Sequence, residues 1–425
     1  MTNKNPMAQV MSLRDFRLLV AGSTTSLLGD QFALIATPWL VLQLTGDPLA
    51  LGIVLALEGF PRAIFMLLGG AVTDRISPRM VMLLSDIVRL VLTGLMVLAI
   101  FTGTVQMWMV YAFALGFGLV SGFAVPASNS IVPMLVKEED LQAGNSIMMA
   151  TSQLVQFVGP TIAGILIGRF ASSALGIGLA FSIDAASFAV SAVCLWIMRG
   201  GRLPASAGDE PQESLWNSVL VGVKYLWNDE TLRMLFLILA AVNFFFTGPL
   251  LVGIPVLADQ YLAEGAVAFG MLMSAFAGGS LVGILLAGAL PRPKGKGMSA
   301  FLIILLVSFG VSLALFGFIR STWLDFALML LLGAGNGYVA ILMFTWMQTH
   351  TPKEMLGRMM SMVMLAASGL VPVSQAVSGA VIKWNLEALF VCAGALIVLV
   401  ALWAAVQPGL KAFSEGLATE TVVAR

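Results

Sequence analysis

Four ionisable residues stand inside long apolar runs of the chain: Asp30, Glu58, Arg62 and Asp184. An ionisable group at membrane depth costs about 2.5–3.5 kcal/mol on insertion scales, so each needs a partner or a task. Ser23, Ser26 and Asp30 share one helical face, a polar stripe that suits a cavity or a neighbouring helix. Glu58 and Arg62 are four apart and can pair. A carboxyl group in a low-dielectric cavity favours its neutral form, and a nearby guanidinium restores the charge. Such a group can take a proton at one membrane face and release it at the other as its surroundings alternate. The four are therefore the candidate proton-coupling residues, with Asp30 as the main site and Glu58–Arg62 tuning it. The alternative is a structural polar cluster tying the first, second and sixth apolar runs together. Asp86 and Arg89 lie near one end of the third run and read as structural support, with Arg89 snorkelling to the surface.

Other chemistry has little to work with. Cys194 and Cys392 are the only cysteines, both in apolar runs, and suggest neither a disulfide framework nor a metal site. A lone His350 cannot build a histidine cluster. No nucleophile motif or catalytic constellation is visible, so the chain is not expected to be an enzyme. The stretch "AGALPRPKGKG" fails as a phosphate loop, because Leu290 holds the first glycine position and Gly297 follows Lys296. ATP-driven transport has no support, and no cofactor is expected. Formal net charge is zero, and no nucleic-acid partner is expected.

Two motifs carry more. In "LLGGAVTDRISPRMVMLLSDIVRL", residues 67–90, Gly70 is followed by Asp74, Arg75 and Arg79 in a short loop between two apolar runs. Gly70 permits close helix packing. Asp74 opposes the negative end of its own helix and is better placed against the N-terminus of a neighbour, with Arg75 and Arg79 holding it. In "QFVGPTIAG", Gly159, Pro160 and Gly164 are small or lack an N–H, which suits tight helix packing. Gln153 and Gln156 lie on the same face as Pro160 and Gly164.

The first pattern resembles the loop motif G-x-x-x-D-R-x-G-R-[RK] of the major facilitator superfamily, with Ser77 for the second Gly and Pro78 for the first basic residue of the pair. The second resembles the G-P-x-x-G-G motif of drug:proton antiporters in that superfamily, with Ala163 for one Gly. Together with "SLLGDQ", "IVPMLVKEEDLQAGN" and "SIDAASFAVSA", they make nearly the whole chain similar to the bacterial efflux subgroup that includes macrolide and siderophore exporters. The resemblance implies that Asp74 meets the eleventh helix and holds the cytoplasmic side shut. It also implies that a rigid fifth helix suppresses leak. "GFGLVSG" in the fourth run lacks the Arg that many such exporters place there. The implied activity is proton-coupled antiport of a lipophilic small molecule out of the cytoplasm. The alternatives are a dedicated exporter of one endogenous metabolite such as a siderophore, or a receptor or scaffold that transports nothing. Cavity candidates are Gln153, Gln156, Asn243, Phe246, Asn336, Met343 and Met347; flexible thioethers and aromatics suit bulky lipophilic molecules.

The elements that must position these residues follow from composition. The 425 residues are 59% hydrophobic and 10% charged, with a mean hydropathy of +0.97. A soluble domain is roughly 25% charged. Runs long enough to cross a bilayer fall at about 16–43, 49–72, 80–101, 106–125, 143–168, 175–198, 232–257, 267–290, 298–319, 323–347, 358–382 and 388–407. With the N-terminus in the cytoplasm, all of the 22 cations except Arg62, Arg169, Arg320 and Lys383 fall on the cytoplasmic side, as the positive-inside rule requires. Both termini are then cytoplasmic, in a multi-pass protein of the bacterial inner membrane. The N-terminus lacks the apolar core and cleavage site of a secretory signal.

"RGGRLPASAGDEPQES" reads as a linker, and Trp216, Leu220, Val223 and Trp227 form one face of a possible surface helix. Residues 138–165 echo 353–380 at a constant offset, which supports duplication of a six-helix unit. The expected fold is all-α, twelve transmembrane helices in two pseudo-symmetric six-helix bundles. Its parts are 1–198, a cytoplasmic linker at 199–230, 231–407 and a cytoplasmic tail at 408–425. A monomer in the lipid bilayer is expected.

Overall fold

Twelve helices are long and apolar enough to cross a membrane in the computed structural model of the chain. It describes residues 6–170, 174–201, 223–290, 296–351, 353–410 and 412–413. Hydrocarbon offers no hydrogen-bond partners, so each spanning segment must satisfy its own backbone, and the helix is how a single segment does so. The first six are α1 (Arg14–Thr45), α2 (Pro48–Arg75), α3 (Pro78–Phe101), α4 (Met107–Ser130), α5 (Leu141–Arg169) and α6 (Leu175–Ile197). Then come α7 (Glu230–Tyr261), α8 (Ala266–Ala289), α9 (Lys296–Leu315), α10 (Thr322–His350), α11 (Lys353–Ser368 and Val371–Ile382) and α12 (Leu386–Val406). Among the described residues there is no strand. Their surfaces carry exposed Leu95, Leu98, Ile304 and Leu399, which suit contact with lipid tails.

Polar residues mark the helix ends. Gly46 closes α1 at φ 61°, donating its N–H to Leu42 O at 2.7 Å. Ser77 Oγ accepts the Met80 N–H at 3.2 Å, and Pro78 occupies the first helical position of α3. The two departures from the loop motif are therefore an N-cap and an N-terminal proline. Asp229 and Asn385 cap α7 and α12 in the same way, at 2.8 and 3.0 Å.

Two features escape the hydropathy pattern. α11 breaks at Gly369 and Leu370. α7 opens into a π turn at Pro249–Gly253, because the Ser374 hydroxyl of α11 sits between two groups that an α-helix would join. The Gly248 N–H donates to Ser374 Oγ at 3.0 Å, and Ser374 Oγ donates to Phe244 O. A side chain inserted into the i→i−4 ladder deforms a helix at that point.

The chain divides into two compact units, Met1–Gly208 with Ala258–Ser274, and Asp209–Leu257 with Ala275–Arg425. In the first, α1 packs on α6 and α2 on α4. In the second, α9 packs on α12 and α7 on α11 and α12. Residues 202–222 of the expected linker and surface helix lie outside the described residues; 223–228 are helical, with Val223 and Trp227 exposed and Leu226 buried.

Candidate functional site

Glycines position the ionisable residues of the first unit, of which Asp86 and Asp184 are buried, Asp30 and Glu58 half-buried and Arg62 exposed. A Cβ at Gly29 of α1 would stand 2.8 Å from Asp184 Oδ1 of α6. Ser187 of α6 fills most of the notch that Gly29 leaves, with Asp184 Oδ1 beside it, one residue along α1 from Asp30. A Cβ at Gly118 of α4 would stand 2.9 Å from Glu58 Cα of α2, and one at Gly122 would stand 3.1 Å from Arg62 O. The backbones of α2 and α4 therefore meet where the Glu58–Arg62 pair stands, at an Nη1–Oε1 separation of 3.7 Å.

Arg89 joins this group. The sequence suggested a side chain near a helix end that snorkels out. α3 starts at Pro78, so Arg89 stands eleven residues in, about 16 Å along the helix, too deep to reach an end. Its Nη2 donates to Ser121 Oγ of α4 at 2.9 Å. The guanidinium lies 5.2 Å from the centre of the Phe117 ring and 5.6 Å from that of Phe188, which are cation–π contacts. Its charge acts on Asp30, Glu58, Asp86 and Asp184 alike. Asp86 is buried and bonded to Ser191 of α6, with its Oδ2 lacking a partner. Asp184 is 0% exposed and neither carboxyl oxygen has a hydrogen-bond partner.

All four sequence candidates, Asp30, Glu58, Arg62 and Asp184, therefore fall within this one unit, together with Asp86 and Arg89. The missed signal was the Ser-Pro pair that fixes the start of α3 and hence the depth of Arg89.

The loop motif is seen in part. Gly70, Asp74 and Arg75 end α2, and their side chains lie outside the described ones. Arg79 donates from Nε to Leu195 O at 2.6 Å and from Nη2 to Trp196 O at 2.8 Å, so it covers the last carbonyls of α6. A cation suits that end of the helix dipole.

The α5 motif makes two close contacts. Gly159 faces Gln31 of α1, whose Cβ would lie 2.7 Å from an added methyl. Gly164 faces Gly270 of α8, whose Cα would lie 3.1 Å from one. Beside them, Ser274 Oγ accepts from both the Thr161 N–H at 3.0 Å and the Thr161 hydroxyl at 2.8 Å. Thr161, inside the motif, was not singled out in the sequence.

The second unit holds a cavity of about 190 Å³ among α7, α9, α10 and the C-terminal end of the chain. Asn243, Phe246, Asn336 and Met343 line it, with Phe309 4.5 Å from Phe246 between ring centres. No acidic or basic side chain lines it. Asn243 Nδ2 donates to Leu239 O at 2.9 Å, so its Oδ1 remains an acceptor. Met347 lines a smaller neighbouring cavity together with Met343. Gln153 and Gln156 belong to the first unit, where Gln156 Nε2 bonds Ser152 Oγ at 2.9 Å, and do not line this cavity. Among the described residues no group of His, Cys, Asp and Glu could hold a metal ion.

Twelve apolar helices, a cluster of ionisable residues in one unit and a cavity lined by no charged side chain in the other define a polytopic membrane transporter. The chain belongs to the major facilitator superfamily, whose family model, described as Major Facilitator Superfamily, matches residues 19–376. An uncharacterized MFS-type transporter, y4rN of Sinorhizobium fredii, is 30% identical over 91% of this chain and 93% of its own. The multidrug efflux pump Tap of Mycolicibacterium fortuitum is 26% identical over 85% of each. The enterobactin exporter EntS of Shigella flexneri is 27% identical over 76% of this chain and 74% of its own. Among solved structures, the nucleoside transporter NupG superposes with a TM-score of 0.68 at 14% identity, covering 92% of this chain and 98% of that one. A bacterial homologue of the lysosomal transporter Spinster does so at 0.65 and 14%, covering 98% and 99%. Both likenesses concern the fold.

Proposed function

We propose that this transporter exports lipophilic or amphipathic small molecules from the bacterial cytoplasm in exchange for protons. It works as a monomer in the inner membrane, with both termini cytoplasmic and no cofactor. One observation carries the reading: Asp30 stands midway along α1, next to the Gly29 contact with Asp184, in a bundle whose other intramembrane charges are Glu58, Arg62, Asp86 and Arg89 among the described residues. A carboxyl so held can exchange a proton only when its surroundings change, which is what alternating access provides.

Asp30 is the main coupling site, and Glu58, Arg62 and Asp184 tune it. Gly70, Asp74, Arg75 and Arg79 gate the cytoplasmic side. The Gly159-Pro160 and Gly164 contacts keep the other side tight against leak. The six-helix halves 1–198 and 231–407, the linker 199–230 and the tail 408–425 are the working parts. One charge moving through 100 mV supplies about 2.3 kcal/mol, equivalent to a roughly fiftyfold solute gradient.

The uncharged wall of Asn243, Phe246, Asn336 and Met343 supports an adaptable lipophilic substrate, as does the likeness to a multidrug efflux pump. The likeness to an enterobactin exporter favours a second reading, a dedicated exporter of one endogenous metabolite such as a siderophore. Transport of several unrelated dyes into proteoliposomes supports the first reading; a single accepted compound supports the second. For coupling, Asp30→Asn is expected to abolish pH-driven accumulation while the protein still folds and binds substrate. Full pH-driven transport by that variant would refute the role of Asp30.

A further inference from the structure

The charges of the first unit do not balance. Among the described residues, four carboxyls, Asp30, Glu58, Asp86 and Asp184, stand with two cations, Arg62 and Arg89, so two carboxyls have no cation of their own. An unpaired carboxylate away from water must gain a proton or a counter-ion. We propose that this cluster binds two protons per transport cycle, on Asp30 and Asp184, with Arg89 as the cation they share. The proposal rests on proton coupling through Asp30 and adds a second site and a stoichiometry.

The geometry singles out these two carboxyls. Glu58 has its own cation in Arg62, at 3.7 Å. Asp86 has a hydrogen bond from Ser191 and stands three residues from Arg89 on the same helix. Asp184 has neither: it is 0% exposed and both oxygens lack a partner. Its Oδ1 stands with Ser187 at the notch of Gly29, next along α1 to Asp30, so the two carboxyls belong to one α1–α6 contact. Two carboxylates so close cannot both stay ionised without help.

Arg89 is suited to being shared. Among the described residues it lies within 4 Å of no carboxylate, and Ser121, Phe117 and Phe188 hold it instead. Its charge is therefore available to whichever carboxyl loses its proton. The other elements packed on the cluster add little. Within their spans α4 and α5 contain no Asp, Glu or Lys, and only Arg169 at the end of α5. Cys194 of α6 packs on Gly22 of α1, further along the same contact. Protons rather than a metal ion fit the arrangement, because no three carboxyls converge on one point among the described residues. No bond other than O–H forms or breaks: each proton enters from the periplasm and leaves to the cytoplasm.

The test is infrared spectroscopy of the purified protein in lipid, following the protonated-carboxyl C=O stretch as pH is raised. Two titrating equivalents are expected from the cluster, besides that of Asp325, the fully buried and unpartnered carboxyl of the second unit, which Asp325→Asn accounts for; the two fall to one in Asp184→Asn and to one in Asp30→Asn. Asp184→Glu is expected to restore two and shift the band, which separates loss of a proton site from loss of the fold. A single cluster equivalent that survives Asp184→Asn and disappears in Asp30→Asn would overturn the two-proton proposal and leave proton coupling standing. No titrating equivalent from the cluster in any form would overturn both. Suppression of the titration by sodium ions would overturn the assignment to protons.

Discussion

Arg79 and Arg89 both belong to α3, and they do different work. Arg79 ties the start of α3 to the last carbonyls of α6 through two hydrogen bonds. Charge-assisted bonds contribute about 1.5–3 kcal/mol each when shielded, and less at a wet surface. Arg79→Ala is expected to cost about 1–2 kcal/mol of stability, read as a lower unfolding temperature in detergent. Transport by the molecules that remain folded should also fall, because Arg79 belongs to the proposed cytoplasmic gate. Arg89 instead lies deep in the bundle against Ser121, Phe117 and Phe188, a depth that the Ser77-Pro78 start of α3 fixes. Asp30, Glu58, Arg62 and Asp184 were legible because charge in an apolar run is conspicuous. Which of them meet was not, since the notches at Gly29 and Gly118 bring together residues far apart in the chain.

At the scale of elements, the twelve helices were legible because a bilayer crossing needs a long uninterrupted apolar run. Their irregularities were not, because these depend on partners. The π turn of α7 exists where Ser374 of another helix takes the Gly248 N–H and donates to the Phe244 carbonyl. No pattern within residues 230–261 encodes that. Ser374→Ala leaves both backbone groups without a partner in a buried place, at a cost of about 1–3 kcal/mol. Ser374→Thr keeps the hydroxyl and should lose less of that. The comparison of the two unfolding temperatures checks it, and equal values for both variants would mean that α7 closes its own ladder without the serine. The α5 contact makes a similar demand. Gly164→Val would force the three added side-chain carbons into the Gly270 backbone, and is expected to raise passive solute leak through the protein in vesicles.

At the scale of the molecule, the cluster of Asp30, Glu58, Arg62, Asp86, Arg89 and Asp184 stands in the first unit; the second has a buried carboxyl of its own, Asp325, but no acidic or basic side chain lines its cavity. On the proposed function, the cluster responds to protons and the cavity accepts varied apolar bodies. Asn243 and Asn336 are the polar side chains of its wall, and Asn243 Oδ1 is left to accept a hydrogen bond. Asn243→Leu is expected to weaken substrates carrying an N–H or O–H donor by about tenfold, and to leave purely apolar substrates almost unchanged. Transport KM values for matched pairs of compounds read this directly.

The central claim is that proton movement through the first unit drives solute export. Its most direct measurement uses proteoliposomes holding the wild-type protein, with a lipophilic dye supplied at the face that corresponds to the cytoplasm and a pH gradient imposed across the membrane. The account predicts uphill dye movement against the proton flow, matched by proton movement in the opposite direction, and collapse of both in Asp30→Asn. Uphill dye movement that continues after an ionophore removes the gradient would contradict it.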